Sequence, residues 1–415
     1  MKANTRQPFS NHPTTIIRKA LGTDLHNASS IQLNVWHILT GLHRSSAYCH
    51  SHTEANSASD GRAEATKLEA EAFNGASSKA EYQATCQKHI DGLRGQQTKD
   101  EDPKISETNR AYDLDPRLGK QIGPYKKALP DNDGLFSTIY KSRNADGLLV
   151  ALKVTVPQMM EPPHDSVREA RITRRGEGAN VIPLLDTLHE PGQRFVLVFP
   201  YMCYQLDTLL SRNVLSLQEI QSHLRDLFRA LDHIHSLGIV HRDIKPSNIL
   251  LRSPSGPAYL ADFGIAWDPT DPASEPADAK ITDIGTTCYR PPEILFGGKD
   301  YGPSLDLWAA GCVVAEAIDM PTHRTLFDAG DLGSELALIH SIFTTLGTPN
   351  LDIWPSAKGL PDWGKIEFKQ YPPKPWEEIL NGVPPNGRDL VQQLVRYENK
   401  DRIAPYEALK HPFFS

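Results

Sequence analysis

Two stretches, "STIYKSR" (137–143) and "LLVALKV" (148–154), alternate apolar and polar positions and predict β-strands, with the "ADG" between them as the turn. "RFVLVFPYM" (Arg194 to Met202) is almost wholly apolar and predicts a strand buried on both faces. Helical periodicity then takes over. In "LSLQEIQSHLRDLFRALDHIHSLGIV", Ile220, Leu224, Leu227, Phe228, Leu231 and Ile234 share one helical face. Ser216 and Glu219 form a capping box at its start, and Gly238 supplies its stop. A strand-rich half before a helix-rich half predicts an α+β chain of two lobes, 118–204 and 205–415. A small-molecule cleft is expected between them.

The N-terminal part reads differently. Residues 51 to about 115 are rich in Ala, Ser, Glu, Lys, Gln and Thr, with one helix-prone piece, Ala63 to Phe73. So few large apolar side chains cannot offset the entropy of ordering, so 1–117 is expected to be mostly disordered. The apolar run Ile31–Leu42 is too short for a membrane span and is interrupted by Asn34 and His37. Residues 1–50 carry Lys2, Arg6, Arg18, Lys19 and Arg44 against Asp24, a bias shared with mitochondrial transit segments; composition alone carries no targeting assignment.

Over all 415 residues the apolar fraction is 39%, as for a globular part diluted by a polar tail, and the net charge of −7 gives no reason to expect nucleic acid. Five scattered cysteines, Cys49, Cys86, Cys203, Cys288 and Cys312, without CxxC spacing argue for free thiols in a reducing compartment, cytoplasm or nucleus. Neither a zinc site nor a disulfide frame is expected.

Chemistry concentrates in "IVHRDIKPSNILL" (Ile239 to Leu251) and "YLADFG" (Tyr259 to Gly264). The first places Asp243, Lys245 and Asn248 on a loop between apolar segments, and the second presents Asp262 at a strand end. Phosphoryl transfer needs a carboxylate to orient the attacking hydroxyl, oxygen ligands for Mg²⁺ and cations for the developing charge. These four residues supply those chemical types. Taken singly, each has an ordinary reading: Lys153 as a solvated strand lysine, Glu169 as part of a charged helix face beside Arg168 and Arg171, Asp262 as a turn residue.

Together, "VALK", "HRDIKPSN", "DFG" and "RPPE", in that order over roughly 120–415, resemble the signature set of the protein kinases. The resemblance implies a bilobal fold and the following roles. Lys153 holds the α- and β-phosphates of ATP and pairs with Glu169. Asp243 is the catalytic base and Lys245 neutralises the transferring group. Asn248 and Asp262 hold Mg²⁺. Thr286 bridges Asp243 and Lys245. The remaining nucleotide positions are Asn132, Gly134, Ser137, Ile139, Ala151, Phe199, Pro200, Met202 and Leu250, with Phe199 as gatekeeper and the Met202 N–H toward adenine. Asp306, Arg242 and the pair Glu293–Arg402 are structural. A lone acid in "LDLWAAGCVVAEAI" is costly unless its lone pairs are satisfied, which fits a role for Asp306 in binding the catalytic-loop backbone.

"PHDSVRE" (Pro163 to Glu169), Arg290 of "YRPPEILFG" and "TLGTPNLDIWPSAKGLPDW" resemble the cyclin-dependent kinases and the wider group that holds them and the mitogen-activated kinases. "IKPSN" resembles the Ser/Thr rather than the tyrosine kinases. Four features depart. In "LPDNDGLFSTIYK" only Gly134 remains of three expected glycines, with Asn132 and Ser137 at the others; Asn tolerates φ > 0 better than most residues. Trp267 stands where the resemblance expects the third of three phosphate-binding arginines, with Arg168 and Arg242 retained, and Ile281 stands where it expects a phosphorylated threonine, with Thr282 one residue away. The acids of that segment, Asp268, Asp271, Glu275 and Asp278, are read as a solvated loop; the alternative is a carboxylate replacing a phosphate against Arg168 and Arg242. Gly285, where valine is usual, weakens an expectation of proline-directed acceptors.

The sequence is therefore identified as resembling a Ser/Thr protein kinase of the cyclin-dependent family, in particular the divergent fungal kinases that activate cyclin-dependent kinases. The resemblance implies a protein substrate, such as a cyclin-dependent kinase, a cyclin as candidate partner, and a monomer or heterodimer bound to neither nucleic acid nor membrane. The competing reading is a pseudokinase scaffold without catalysis.

Overall fold

The computed structural model describes residues 119–134, 136–320, 322–330 and 333–415, all within one compact unit, Tyr112–Ser415. The polar tail 1–117, its helix-prone piece Ala63–Phe73, the apolar run Ile31–Leu42, Cys49 and Cys86 lie outside the described residues. Among the described residues no helix is long and apolar enough to cross a membrane.

The strand-rich half holds β1 (Lys120–Ile122), β2 (Tyr125–Asp133), β3 (Ser137–Arg143), β4 (Leu149–Thr155), helix α1 (Ser166–Arg175), β5 (Asp186–Glu190) and β6 (Arg194–Pro200). The strands form one antiparallel sheet in the order β1-β2-β3-β4-β6-β5. The predicted "ADG" turn joins β3 to β4, with Gly147 at φ +79°. Pro130 lies where the β2–β3 register slips, a bulge that tolerates its missing N–H. Side chains alternate along β4. Val150 and Leu152 enter a small core with Ile122, Tyr125, Ala128, Val196 and Val198, while Ala151 and Lys153 face the other side. Register places Lys153 between Ile139 on β3 and Leu197 on β6. Asp165 caps α1, its Oδ1 accepting from the N–H of Val167 and of Arg168, each at 2.9 Å.

The helical half starts with β7 (Tyr204–Gln205), α2 (Leu206–Ser211), α3 (Leu217–Ser236), β8 (Ile249–Leu251) and β9 (Ala258–Leu260). It continues with α4 (Pro292–Leu295), α5 (Ser304–Ile318), α6 (Glu335–Leu346), α7 (Trp376–Ile379), α8 (Pro385–Leu394) and α9 (Pro405–Ala408). The capping box of α3 is formed, its apolar face is buried, and Gly238 follows its end at φ +77°. Helix α5 is buried on nearly every side. Its Gly311 permits close packing, since a Cβ there would meet Val395 Cγ2 at 2.6 Å. The "TLGTPNLDIWPSAKGLPDW" insert anchors through buried Trp354, in ring contact with Phe296, Trp363 and Tyr397.

Two buried charged arrangements hold this half together. Arg402 grips Glu293 with both terminal nitrogens, at 2.6 and 2.7 Å, joining α4 to the chain before α9. Asp306, fully buried near the start of α5, accepts from the backbone N–H of His241 (2.8 Å) and Arg242 (2.9 Å), with His235 Nε2 at 2.9 Å. Burial pushes its carboxyl upward, but those partners hold it below the usual carboxylate range. Arg402→Ala is expected to cost about 3–5 kcal/mol in urea unfolding, because it strands Glu293 as a buried unpaired charge; a loss below about 1 kcal/mol, the usual value of an exposed pair, contradicts this. Asp306 has a depressed folded pKa, so its contribution is complete above the unfolded value of about 3.9. It is lost as pH falls through the lower folded value. Stability should therefore drop faster below about pH 4 in the native chain than in Asp306→Asn, as read by fluorescence-monitored unfolding.

Candidate active site

The loop between α3 and β8 carries Asp243, and its geometry follows from what grips it. Arg242 has φ +72°, a left-handed backbone costly for a non-glycine residue. The two hydrogen bonds to Asp306 hold the backbone at that turn. His241, also buried, places Nε2 3.0 Å from the Ala261 carbonyl and accepts the Asp243 N–H at Nδ1, 3.3 Å away. One ring nitrogen meets an acceptor and the other a donor, which fits the neutral imidazole; burial depresses its pKa in the same sense.

Asp243 is held by several donors. Its Oδ1 accepts from the Thr286 N–H (3.0 Å) and hydroxyl (2.9 Å). Its Oδ2 meets Asn248 Nδ2 at 3.1 Å and Lys245 Nζ at 2.8 Å. Lys245 Nζ also donates to Thr286 Oγ1 at 2.9 Å, so Thr286 does bridge the acid and the lysine. Beside them is a hollow lined by Asp243, Ile284, Gly285, Thr286 and Arg290 among others. Gly285 has φ +69°, and a Cβ there would lie 2.6 Å from the Arg242 carbonyl oxygen. A side chain at this position would require the backbone to shift.

On β4, Lys153 Nζ sits 2.7 Å from Glu169 Oε1 on α1 and 2.7 Å from Asp262 Oδ1. Burial lowers the lysine pKa, but the two carboxylates outweigh it and the net shift is upward. The ammonium likewise holds Asp262 well below the usual carboxylate range, although burial opposes this. Glu169 shifts upward, because burial exceeds the effect of Lys153. Gly264 leaves room for the trio, since a Cβ there would stand 3.2 Å from Asp262 Oδ1 and 3.5 Å from Glu169 Oε2. Asp262 has φ +67° and a side chain 48% exposed, against 1% for Glu169. An ionised, accessible carboxylate suits a divalent ion. Asn248 suits it too, because its amide nitrogen is engaged by the Asp243 carbonyl (2.8 Å) and carboxylate, which assigns ligand duty to the amide oxygen. Among the described residues no group of three or more His, Cys, Asp or Glu forms a closed metal site. One carboxylate and one amide fit Mg²⁺, which keeps waters and phosphate oxygens as its other ligands.

On the sheet side, the register rows Ile139–Lys153–Leu197 and Lys141–Ala151–Phe199 run across β3, β4 and β6 and bring Ile139, Ala151 and Phe199 to one face. Pro200 ends β6, Met202 follows half-buried, and Leu250 is half-buried on β8. Asn132 and Ser137 lie in extended strand, Asn132 paired with Ile139, and the Gly134 N–H closes the turn on the Ser137 carbonyl at 2.7 Å. No described residue of this loop has positive φ, so the lost glycines cost no left-handed strain; the tolerance expected of Asn132 is not needed. Phe136 contacts His164 ahead of α1, ring centroids 4.6 Å apart, a contact the pattern did not predict.

The solvated-loop reading of the acidic segment is corrected for three of its four acids. Glu275 sits against Arg242, with Nη1 at 3.0 Å from Oε1 and Nη2 at 3.3 Å from Oε2, and 3.8 Å from Arg168 Nη1. Asp271 takes a two-pronged grip from Arg171 (2.6 and 2.8 Å), and Asp268 pairs with Arg175 at 2.7 Å. Asp278 alone stays exposed. Trp267, at the missing arginine's position, donates its indole N–H to the Glu275 carbonyl at 2.9 Å. Buried Lys280 lies 4.5 Å from that ring. Ile281 packs against the cluster of Val240, Ile265, Trp267 and Tyr301. The sequence signal was present as arginines spaced along α1 and acids along the segment, but which would meet is a three-dimensional fact.

Comparisons with known proteins agree with this geometry. The family profile described as "Protein kinase domain" matches residues 133–414. The serine/threonine-protein kinase csk1 of Schizosaccharomyces pombe is 36% identical over 292 residues, spanning 68% of this chain and 93% of its own. Cyclin-dependent kinase 20 of Danio rerio is 32% identical over 288 residues, and that of Homo sapiens 32% over 289, each spanning 68% of this chain and 80% of its own. The chain belongs to the protein kinase family and is a serine/threonine protein kinase of the cyclin-dependent type.

Proposed function

We propose that this chain transfers the γ-phosphoryl group of ATP, with Mg²⁺, to a serine or threonine hydroxyl of another protein, the favoured acceptor being the activation-segment threonine of a cyclin-dependent kinase. One observation carries the reading: Lys153, Glu169 and Asp262 form one ionic cluster while Asp243, Lys245, Asn248 and Thr286 form one hydrogen-bonded cluster, linked by the short chain between Asn248 and Asp262. Mg²⁺ held by Asn248 and Asp262 would supply charge neutralisation on the phosphate oxygens.

The rest is work for side chains. Asp243 orients the acceptor hydroxyl and takes its proton; its second oxygen and Lys245 are already fixed, so little reorganisation is needed. Lys245 places a positive charge beside the transferring group. Lys153, positioned by Glu169, grips the non-transferred phosphates. Ala151, Ile139, Leu250 and Met202 frame the adenine, with Phe199 limiting depth. The fungal subgroup draws support from the likeness to a fission-yeast serine/threonine-protein kinase over 93% of that protein. A cyclin partner draws support from the likeness to cyclin-dependent kinases. The pseudokinase alternative gains nothing from a site in which every charged and amide group is present and joined.

Incubation with radiolabelled ATP, Mg²⁺ and a catalytically dead cyclin-dependent kinase tests the reading. Wild type should label the acceptor, and Asp262→Ala should label it at least about a hundredfold less, the scale of losing one preorganised electrostatic group. An acceptor lacking its activation-segment threonine should stay unlabelled. Equal labelling by wild type and Asp262→Ala contradicts catalysis here; persistent labelling without that threonine contradicts only the choice of substrate.

A further inference from the structure

Arg168 and Arg242 are the residues immediately before Glu169 and Asp243, the partner of Lys153 and the base. Both guanidiniums are buried, with side-chain exposures of 5% and 0%, and each Nε lacks a hydrogen-bond partner among the described residues. Two such cations would repel each other and lose solvation unless an anion sat between them. Glu275 is that anion. Its carboxylate hydrogen-bonds Arg242 and lies 3.8 Å from Arg168 Nη1, which also donates to the Ala273 carbonyl, while Arg168 Nη2 donates to the Pro163 carbonyl; the Glu275 backbone is fixed by the Trp267 indole. The strip of chain leading to it is tied to the same helix by Asp271–Arg171 and Asp268–Arg175. Helix α1 therefore meets the segment through three arginines about one turn apart, each opposite an acid. The position where the resemblance expects a phosphorylated threonine is filled by Ile281, whose side chain belongs to an apolar cluster and whose carbonyl accepts from the Tyr301 hydroxyl at 2.6 Å.

We infer that Glu275 is a positioning residue for phosphoryl transfer: as a built-in anion it ties Arg168 of helix α1 to Arg242 of the catalytic loop, so that the site is assembled without a phosphate on the activation segment. The effect passes through neighbours. Holding Arg168 fixes the pitch of α1 and thus Glu169 on Lys153; holding Arg242 supports the left-handed turn that presents Asp243. A carboxylate carries less charge than a phosphate, and the two added ion pairs along α1 make up part of the difference. This rests on the kinase machinery, not on which protein is the acceptor.

The isosteric Glu275→Gln variant should still fold, with a lowered melting temperature because the two guanidiniums lose the anion between them. Its kcat toward a generic protein acceptor should fall about tenfold, equivalent to about 1.4 kcal/mol, with KM for ATP within about twofold. Glu275→Asp should recover part of the loss, and millimolar acetate should partly restore kcat in Glu275→Ala by refilling the space between the guanidiniums. Phosphatase treatment of wild type, and Thr282→Ala, should leave kcat unchanged. Hydrogen exchange gives a readout independent of any acceptor: peptides covering 166–175 and 241–248 should exchange faster in Glu275→Gln. Unaltered exchange in both peptides, wild-type kcat in Glu275→Gln, or loss of activity on dephosphorylation overturns the inference.

Discussion

A single ammonium group joins the two halves of the site. Lys153 belongs to a sheet whose opposite face is apolar, Glu169 to a helix, and Asp262 to the turn after β9; their polar atoms meet at 2.7 Å. Lys153 and Glu169 are largely buried and each depends on an opposite charge, while the Asp262 side chain is half exposed. Glu169 is fully buried and rises toward protonation, Lys153 stays charged against its burial, and Asp262 is held ionised by the lysine. The result is a cation aimed where phosphate oxygens would lie and a free-facing carboxylate aimed where a divalent ion would lie. A side chain at Gly264 would crowd Asp262 Oδ1, which a Cβ there would meet at 3.2 Å.

Around that joint, buried acids set backbone. Asp306 accepts the N–H groups of His241 and Arg242 and thereby supports a left-handed residue next to the base. Glu275 satisfies the same Arg242 from the other end, through its side chain. Arg242 is thus held at main chain and guanidinium by two carboxylates from segments distant in sequence. Glu293 and Arg402 do comparable work farther off, tying α4 to the C-terminal helices. Asp306 and Glu293 are buried, where an unpaired charge is expensive and a satisfied one admits few alternative arrangements. That is how a loop with little regular structure keeps its form.

Much of this was legible in the sequence because the chemistry is local. "HRDIKPSN" places base, lysine and amide within six residues, so their convergence needs only one tight loop. The α3 face and its capping box follow from period and cap chemistry and appear as expected. The pairs Lys153–Glu169 and Glu293–Arg402 are separated by 16 and 109 residues; only the resemblance, not periodicity, could place them. The acidic segment was misread because exposure was inferred from charge. Asp268, Asp271 and Glu275 look like solvated acids until α1 turns its arginines toward them. In the glycine loop Asn132 lies in extended strand, so its tolerance of left-handed φ is not called upon. Gly285, where valine is usual, takes a left-handed φ beside the Arg242 carbonyl that a glycine adopts without strain.

The most direct measurement is calorimetric titration of the purified chain with a non-hydrolysable ATP analogue, with and without magnesium. Asn248 and Asp262 acting through a metal, and Lys153 acting on phosphate, predict one nucleotide per chain and an affinity at least about tenfold weaker without magnesium. Binding of equal strength with and without the ion, or no binding heat at saturating magnesium, would contradict the account.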